Sequence, residues 1–287
     1  MSISEGLTLI TFTEQESDCW EGKATEAWRL LRPEVHRAFM NMAVDEAVMT
    51  ARTENRVPNT LRLYRWKPSA VSIGKFQRVE DEVQLENCRN HGVDVVRRIT
   101  GGGSVYHDAD NEVTYSVIVS KNDLGTEDIT AVYARIYAGI AEAAKILGVT
   151  ADFSEGSAKA CPNLTVKGRK ISGSAQSHRR GMVLQHGTIL ADVDLEKMFT
   201  FLRVPWAKTC MEVVGVARNR ITSLRMELGR EVSLDSVGIA LAEGFAKALG
   251  VELVDGELTP FERELAEKLC KKYASNEWTF HGRSMAV

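Results

Sequence analysis

"VDVVRRITGGGSVYHDADNEVTYSVIVS", residues 93–120, holds two β-type runs separated by three consecutive glycines. The run 93–100 is rich in β-branched residues, and the run 111–120 mixes β-branched and aromatic ones, so both read as strands. A phosphate-binding loop of the P-loop or dinucleotide kind needs a helix after its glycines, and neither GxxxxGK[ST] nor GxGxxG is present. The bland alternative is a glycine-rich hairpin, in which glycine simply permits positive φ.

Outward from this stretch, "FMNMAVDEAVMTARTE" (39–54) has apolar residues at helical spacing, and 59–66 and 69–76 read as strands. "VEDEVQLENCRNHG" (79–92) reads as one helix stopped by Gly92. A long helix is expected over 128–148, then three short strands with turns over 164–176 and 182–193. The remainder is mostly helical, as in "DLEKMFTFL", "DSVGIALAEGFAKALG" and "PFERELAEKLCKKYAS". Strands and helices cluster instead of alternating strictly, which predicts an α+β fold with a largely antiparallel sheet.

The 287 residues suffice for one large domain or two small ones, with 44% hydrophobic and 26% charged residues. A net charge of -3 gives no overall pull towards nucleic acid. No apolar run reaches the roughly 18 residues of a membrane span, and the N-terminus lacks the basic flank of a secretory signal. Five scattered cysteines without a CxxC pair predict reduced thiols in a cytoplasmic protein. Residues 1–35 fit no readable motif and are expected to be an N-terminal extension packed on a single domain over 36–287.

Three segments carry the chemistry. In the first, Arg97 and Arg98 are adjacent on a strand, so at most one guanidinium faces a site, where it would hold carboxylate or phosphate oxygens. Gly101, Gly102, Gly103 and Ser104 would expose backbone N–H groups to a ligand, with His107 and Asp108 shaping the loop. In the second, "VKGRKISGSAQ" (166–176), a turn at 167–169 presents Lys170, with Gly173, Ser174 and Ala175 beyond it. A strand-end lysine is usually just exposed; its functional reading is a cation that stabilises developing negative charge. In the third, "LQHGTIL" (184–190), His186, Gly187 and Thr188 sit in a β context.

These blocks resemble the motifs of the lipoate–protein ligase A family, within the biotin/lipoate ligase and octanoyltransferase superfamily. "FMNMAVDEAV" (39–48), "SIGKFQRVEDEV" (72–83) with Gly74 and Gln77, "RNRITSL" (218–224) and "KKYASNEWTF" (271–280) fit as well, in family order over about 36–280. The resemblance implies a class II biotin/lipoate ligase-like α+β fold, with a mixed, mainly antiparallel sheet flanked by helices. It implies a ligase that activates lipoate or octanoate with ATP and Mg²⁺ to acyl-AMP. The acyl group would then pass to a lysine of a lipoyl carrier protein: an E2 domain, an H protein or a lipoate-binding protein. Lys170 matches the family's essential lysine.

Three departures stand out. The family's Asn-Asp pair is replaced by Pro162-Asn163 in "CPNLTV". Cys161 stands in that stretch, and one branch of the superfamily, the cysteine-dependent octanoyltransferases, uses a cysteine in this neighbourhood as nucleophile. The long ligases' C-terminal accessory domain has no counterpart, so a small accessory subunit is expected. The alternative to the ligase is therefore an acyl transferase working through Cys161.

Overall fold

The computed structural model describes residues 27–156 and 162–282. In chain order the elements are β1 (Ala27–His36), α1 (Ala38–Thr53), β2 (Thr60–Trp66), β3 (Ala70–Ile73), α2 (Val79–Glu82), α3 (Leu85–Asn90), β4 (Asp94–Arg97), β5 (Val105–His107), β6 (Glu112–Ser120), α4 (Lys121–Leu124), α5 (Ile129–Ile146), β7 (Asp152–Ser154), β8 (Asn163–Val166), β9 (Arg169–Arg179), β10 (Met182–Leu190), α6 (Leu195–Phe201), α7 (Cys210–Ala217), α8 (Leu224–Leu228), α9 (Leu234–Leu249), β11 (Glu252–Gly256), α10 (Pro260–Tyr273) and α11 (Asn276–His281). Eight strands form one sheet in the order β11-β1-β2-β6-β10-β9-β8-β7, and three form a small sheet, β4-β3-β5. In the large sheet β1 runs parallel to β11 and β2, and the other pairings are antiparallel. The expected α+β architecture with a mainly antiparallel sheet is the one observed.

Period-two alternation divides the large sheet's faces. Leu61, Leu63, Val113, Tyr115 and Val117 pack under α5 and α9. Tyr64, Trp66, Ile118 and Leu184 belong to the core beneath α1 and α10. The long helices are fixed by local chemistry as well as by burial. Asp128 and Ser233 cap α5 and α9, and α10 starts with a Thr259/Glu262 capping box and Pro260. Among the described residues no helix is long and apolar enough to cross a membrane.

The structure departs from the sequence reading in several places. Residues 27–35 of the expected N-terminal extension belong to β1, inside the large sheet; residues 1–26 lie outside the described ones. The helix expected over 79–92 divides into α2 and α3, because Val83 is extended and bridges Leu202 while Gln84 N–H donates to the Phe201 carbonyl. The glycines do not close a hairpin. β4 and β5 both pair with β3, one parallel and one antiparallel, so the glycine loop crosses the end of a third strand.

Candidate active site

A cavity of about 300 Å³ lies between the large sheet and the small one. Its floor is Met42 of α1 with Tyr64, Trp66 and Thr114 of the large sheet, all buried. Its walls include Ile171, Leu190, Ile221 and, from α6 and the segment after it, Met198, Phe199 and Leu202. The polar atoms of the floor are already satisfied: Trp66 Nε1–H donates to Thr114 Oγ1 at 2.8 Å, and Tyr64 O–H donates to Asp45 Oδ2 at 3.1 Å. The slot thus presents carbon to its occupant, which suits an apolar tail. At the mouth Gly102, Gly103 and Lys170 are exposed.

The hairpin β8–β9 delivers Lys170. Lys167 and Gly168 turn the chain with positive φ, of 50° and 77°. A bulge in β8–β9 pairing falls between Leu164 and Thr165, opposite Lys170–Ser172. The lysine's backbone is clamped by the "RNRITSL" block: Lys170 N–H donates to the Arg220 carbonyl at 2.7 Å, and Thr222 N–H to the Lys170 carbonyl at 2.9 Å. Its side chain lies across Gly173, where an added Cβ would stand 2.5 Å from Nζ and 3.5 Å from Asn163 Oδ1. Lys170, Gly173 and Asn163 are therefore neighbours, and all three line the cavity.

Opposite them lies the glycine loop. Arg98 lines the cavity, but its donors serve the protein. Nη2 holds the Gly101 and Gly103 carbonyls at 2.8 and 2.9 Å, Nη1 the Ser72 carbonyl and hydroxyl at 3.0 and 2.8 Å, and Nε the Thr100 hydroxyl at 3.2 Å. Gly102 and Gly103 border the cavity, and their N–H groups have no acceptor among the backbone bonds of the described residues. That arrangement can receive an oxyanion.

Of the residues singled out in the sequence, Ser104, His107, Ser174, Ala175, His186, Gly187 and Thr188 also line the cavity. Arg97, Gly101, Gly74 and Gln77 do not. Arg97 donates to the carbonyls of Trp278, Thr279, Gly74, Lys75 and Gln77, so it pins the end of α11 and the 74–77 turn. Burial lowers its pKa from the usual value. The 74–77 turn in turn supports the glycine loop: Gln77 Oε1 accepts from Gly74 N–H at 2.8 Å, and Lys75 N–H donates to the Thr100 carbonyl at 2.8 Å. Asp108 pairs with Lys197 at 2.9 Å, away from the lining. Cys161 lies outside the described residues. Among those that are described, no group of three or more His, Cys, Asp or Glu residues could hold a metal ion.

Sequence reasoning missed the buried polar shell. Asp45 of α1 bonds Arg62 Nη1 at 2.7 Å and His186 Nδ1 at 3.0 Å. Burial acts to raise the Asp45 pKa, but the Arg62 charge and the His186 bond outweigh it and hold the carboxyl below its ordinary value. Burial lowers the His186 pKa against the opposing pull of Asp45, which keeps the ring neutral at pH 7. Glu112 bonds His107 Nδ1 at 2.7 Å, and the His107 ring stacks on Trp66 at 3.9 Å. A signal was present: Asn41 and Asp45 are polar residues at i, i+4 on the face of α1 that its apolar spacing buries.

The chain belongs to the lipoyl protein ligase A/B catalytic domain family, whose model matches residues 37–246. It is 44% identical to octanoyltransferase LipM of Kyrpidia tusciae over 89% of this chain and 99% of that protein. It is 35% identical to octanoyltransferase LipM of Clostridioides difficile over 88% and 97%. Among solved structures it resembles a bipartite lipoate protein ligase from Thermoplasma acidophilum, described with its E2 lipoyl domain. That likeness has a TM-score of 0.78 at 29% identity, over 92% of this chain and 100% of that one. The sequence expectation of an ATP- and Mg²⁺-dependent lipoate–protein ligase is corrected by the relatives from Kyrpidia tusciae and Clostridioides difficile, which are octanoyltransferases. A transferase starts from an acyl group that is already activated, so adenylation with ATP and Mg²⁺ has no place in its reaction.

Proposed function

We propose that this chain is a cytoplasmic octanoyltransferase that moves the acyl group from a thioester donor, an acyl carrier protein, to a lysine of a lipoyl carrier domain through Cys161. The support that carries the reading is the pairing of octanoyltransferase relatives with an apolar slot whose mouth holds Lys170, Asn163 and the glycine loop. Cys161 directly precedes Pro162-Asn163 in the chain, and Asn163 is one of those mouth residues.

In the first step the Cys161 thiolate attacks the donor's thioester carbonyl. The carbonyl oxygen gathers negative charge, which the loop N–H groups and the Lys170 ammonium stabilise. Collapse expels the donor's thiolate and leaves an octanoyl thioester on Cys161. In the second step the carrier lysine's amine attacks that thioester, forms the amide, loses a proton and releases the thiolate. The tail stays in the slot between Trp66 and α6 throughout. Neither an accessory subunit nor a nucleotide has a role in these two steps.

The test is transfer of octanoate from octanoyl-acyl carrier protein to a lipoyl domain without ATP. Turnover is expected in the unaltered protein. Lys170→Ala should lower it by about 10²-fold or more, the scale of losing one oxyanion-stabilising group. Full activity of Lys170→Ala would overturn the site assignment.

A further inference from the structure

Arg98 sits where two hydrogen-bonded arms meet. One runs from Glu112 Oε1 to His107 Nδ1 at 2.7 Å, then from His107 Nε2 to the Ser72 hydroxyl at 2.7 Å. The other runs from Asp45 Oδ2 to His186 Nδ1 at 3.0 Å, then from His186 Nε2 to the Thr100 hydroxyl at 2.8 Å. Both hydroxyls also contact Arg98, Ser72 at Nη1 and Thr100 at Nε.

The polarity of each arm follows from donor chemistry. With each carboxylate as the acceptor, the histidine beside it carries a proton on Nδ1 and presents Nε2 to the hydroxyl. Each hydroxyl must then give its single proton to Nε2, and its own lone pairs face the guanidinium. Arg98 has five N–H donors and can only donate. With Ser72 and Thr100 oriented in this way all five are used, and the two on Nη2 clasp the Gly101 and Gly103 carbonyls. His107, His186, Asp45 and Glu112 are all buried, so water does not compete for these bonds. A histidine with the opposite tautomer would point N–H at the hydroxyl, and the hydroxyl proton would then face a cation.

We propose that Glu112 and Asp45 are positioning residues for acyl transfer: acting through His107 and His186, they orient the two hydroxyls that hold Arg98, and Arg98 sets the glycine loop for the reacting oxygen. This rests on the transferase reading. Neither carboxylate lines the cavity, so the expected signature is a fall in kcat with little change in KM for the acyl donor.

The experiment uses the full chain with ¹⁵N-labelled histidine. The unaltered protein is expected to show Nδ1–H on both His107 and His186, with Nε2 accepting from the hydroxyl. Glu112→Gln and Asp45→Asn bring an amide that can donate to Nδ1, so each should shift its own histidine towards the Nε2–H tautomer. Ser72→Ala breaks the first arm without touching either carboxylate. Glu112→Gln and Ser72→Ala should each lower kcat about tenfold or more with KM within about twofold, as expected for a displaced reacting geometry. The double variant should lose little beyond either single one, because both break the same arm.

Nε2–H tautomers in the unaltered protein would overturn the proposal. So would unchanged kcat in Ser72→Ala and in either carboxylate variant. Absence of octanoyl transfer by the unaltered protein would overturn the transferase reading and this role with it. That failure is distinguishable, because the tautomers are measured without substrate.

Discussion

Gly173 is the residue at which one methyl group separates activity from stability. A Cβ there would collide with the far end of the Lys170 side chain, not with backbone. The lysine can swing away at little cost to the fold, but its ammonium then leaves the neighbourhood of Asn163. Gly173→Ala is expected to lower octanoyl transfer about tenfold or more, on the scale of a displaced reacting group, while the melting temperature stays nearly unchanged. Thermal unfolding beside a transfer assay checks both halves. His186 gives a second residue-scale expectation. Its pKa is below the usual 6.5 in the folded chain, so the unfolded chain binds the proton more tightly. Its contribution to stability is full above pH 6.5 and is lost as pH falls below it. Asp45, held below 3.8, adds a further loss only at more acid pH. Urea unfolding at pH 7.5 and 5.5 should show a stability drop that is smaller in His186→Gln. An equal drop in both proteins would contradict the assignment.

At the scale of elements, the glycine loop depends on a neighbour that never reaches the cavity. Gly74, just past β3, approaches the loop so closely that a Cβ would overlap the Gly102 carbonyl oxygen. Both partners are backbone, so relief requires moving the chain. Gly74→Ala should destabilise the protein by about 1–3 kcal/mol, the usual cost of overpacking, and reduce transfer as the loop shifts. Denaturant midpoints measure the first effect. This dependence explains what the sequence did and did not disclose. Lys170, Gly173, His186 and the glycine run were legible because their residue types are unusual for plain strands. The roles of Arg97 and Arg98 were not, because adjacency on a strand does not reveal which carbonyl groups stand opposite. The break between α2 and α3 was hidden for the same reason. "VEDEVQLENCRNHG" has helical composition throughout, and only the bridge from Val83 to Leu202, far away in sequence, pulls it open. β5, β7 and β11 have three to five residues each, too short for their alternation to register.

For the whole molecule, the site is a seam between two sheets, and the first and last described elements brace those sheets. β1 enters the large sheet next to β11, and Arg29 of β1 forms a buried ion pair with Glu262 of α10 at 2.6 Å. Glu262 also serves the α10 capping box. Arg29→Met would leave that carboxylate buried without its cation, at an expected cost of about 3–5 kcal/mol in urea unfolding. α11 then returns to β4, where Arg97 donates to the carbonyls of Trp278 and Thr279 and the Trp278 indole donates to the Arg97 carbonyl at 2.9 Å. The α+β class was readable from clustered strands and helices. The partition of the strands into two sheets, which creates the cavity, was not. It depends on β3 pairing with both β4 and β5, and strand composition does not say which strands pair.

Covalent catalysis through Cys161 without nucleotide would leave an acyl group on the protein, and mass reveals it. The protein is mixed with octanoyl-acyl carrier protein, with no ATP and no acceptor domain, and its intact mass is recorded. One octanoyl adduct is expected, mapped by peptide analysis to Cys161, absent from Cys161→Ser and discharged when a lipoyl domain is added. Transfer to the lipoyl domain with no adduct, and with Cys161→Ser as active as the unaltered chain, would contradict it.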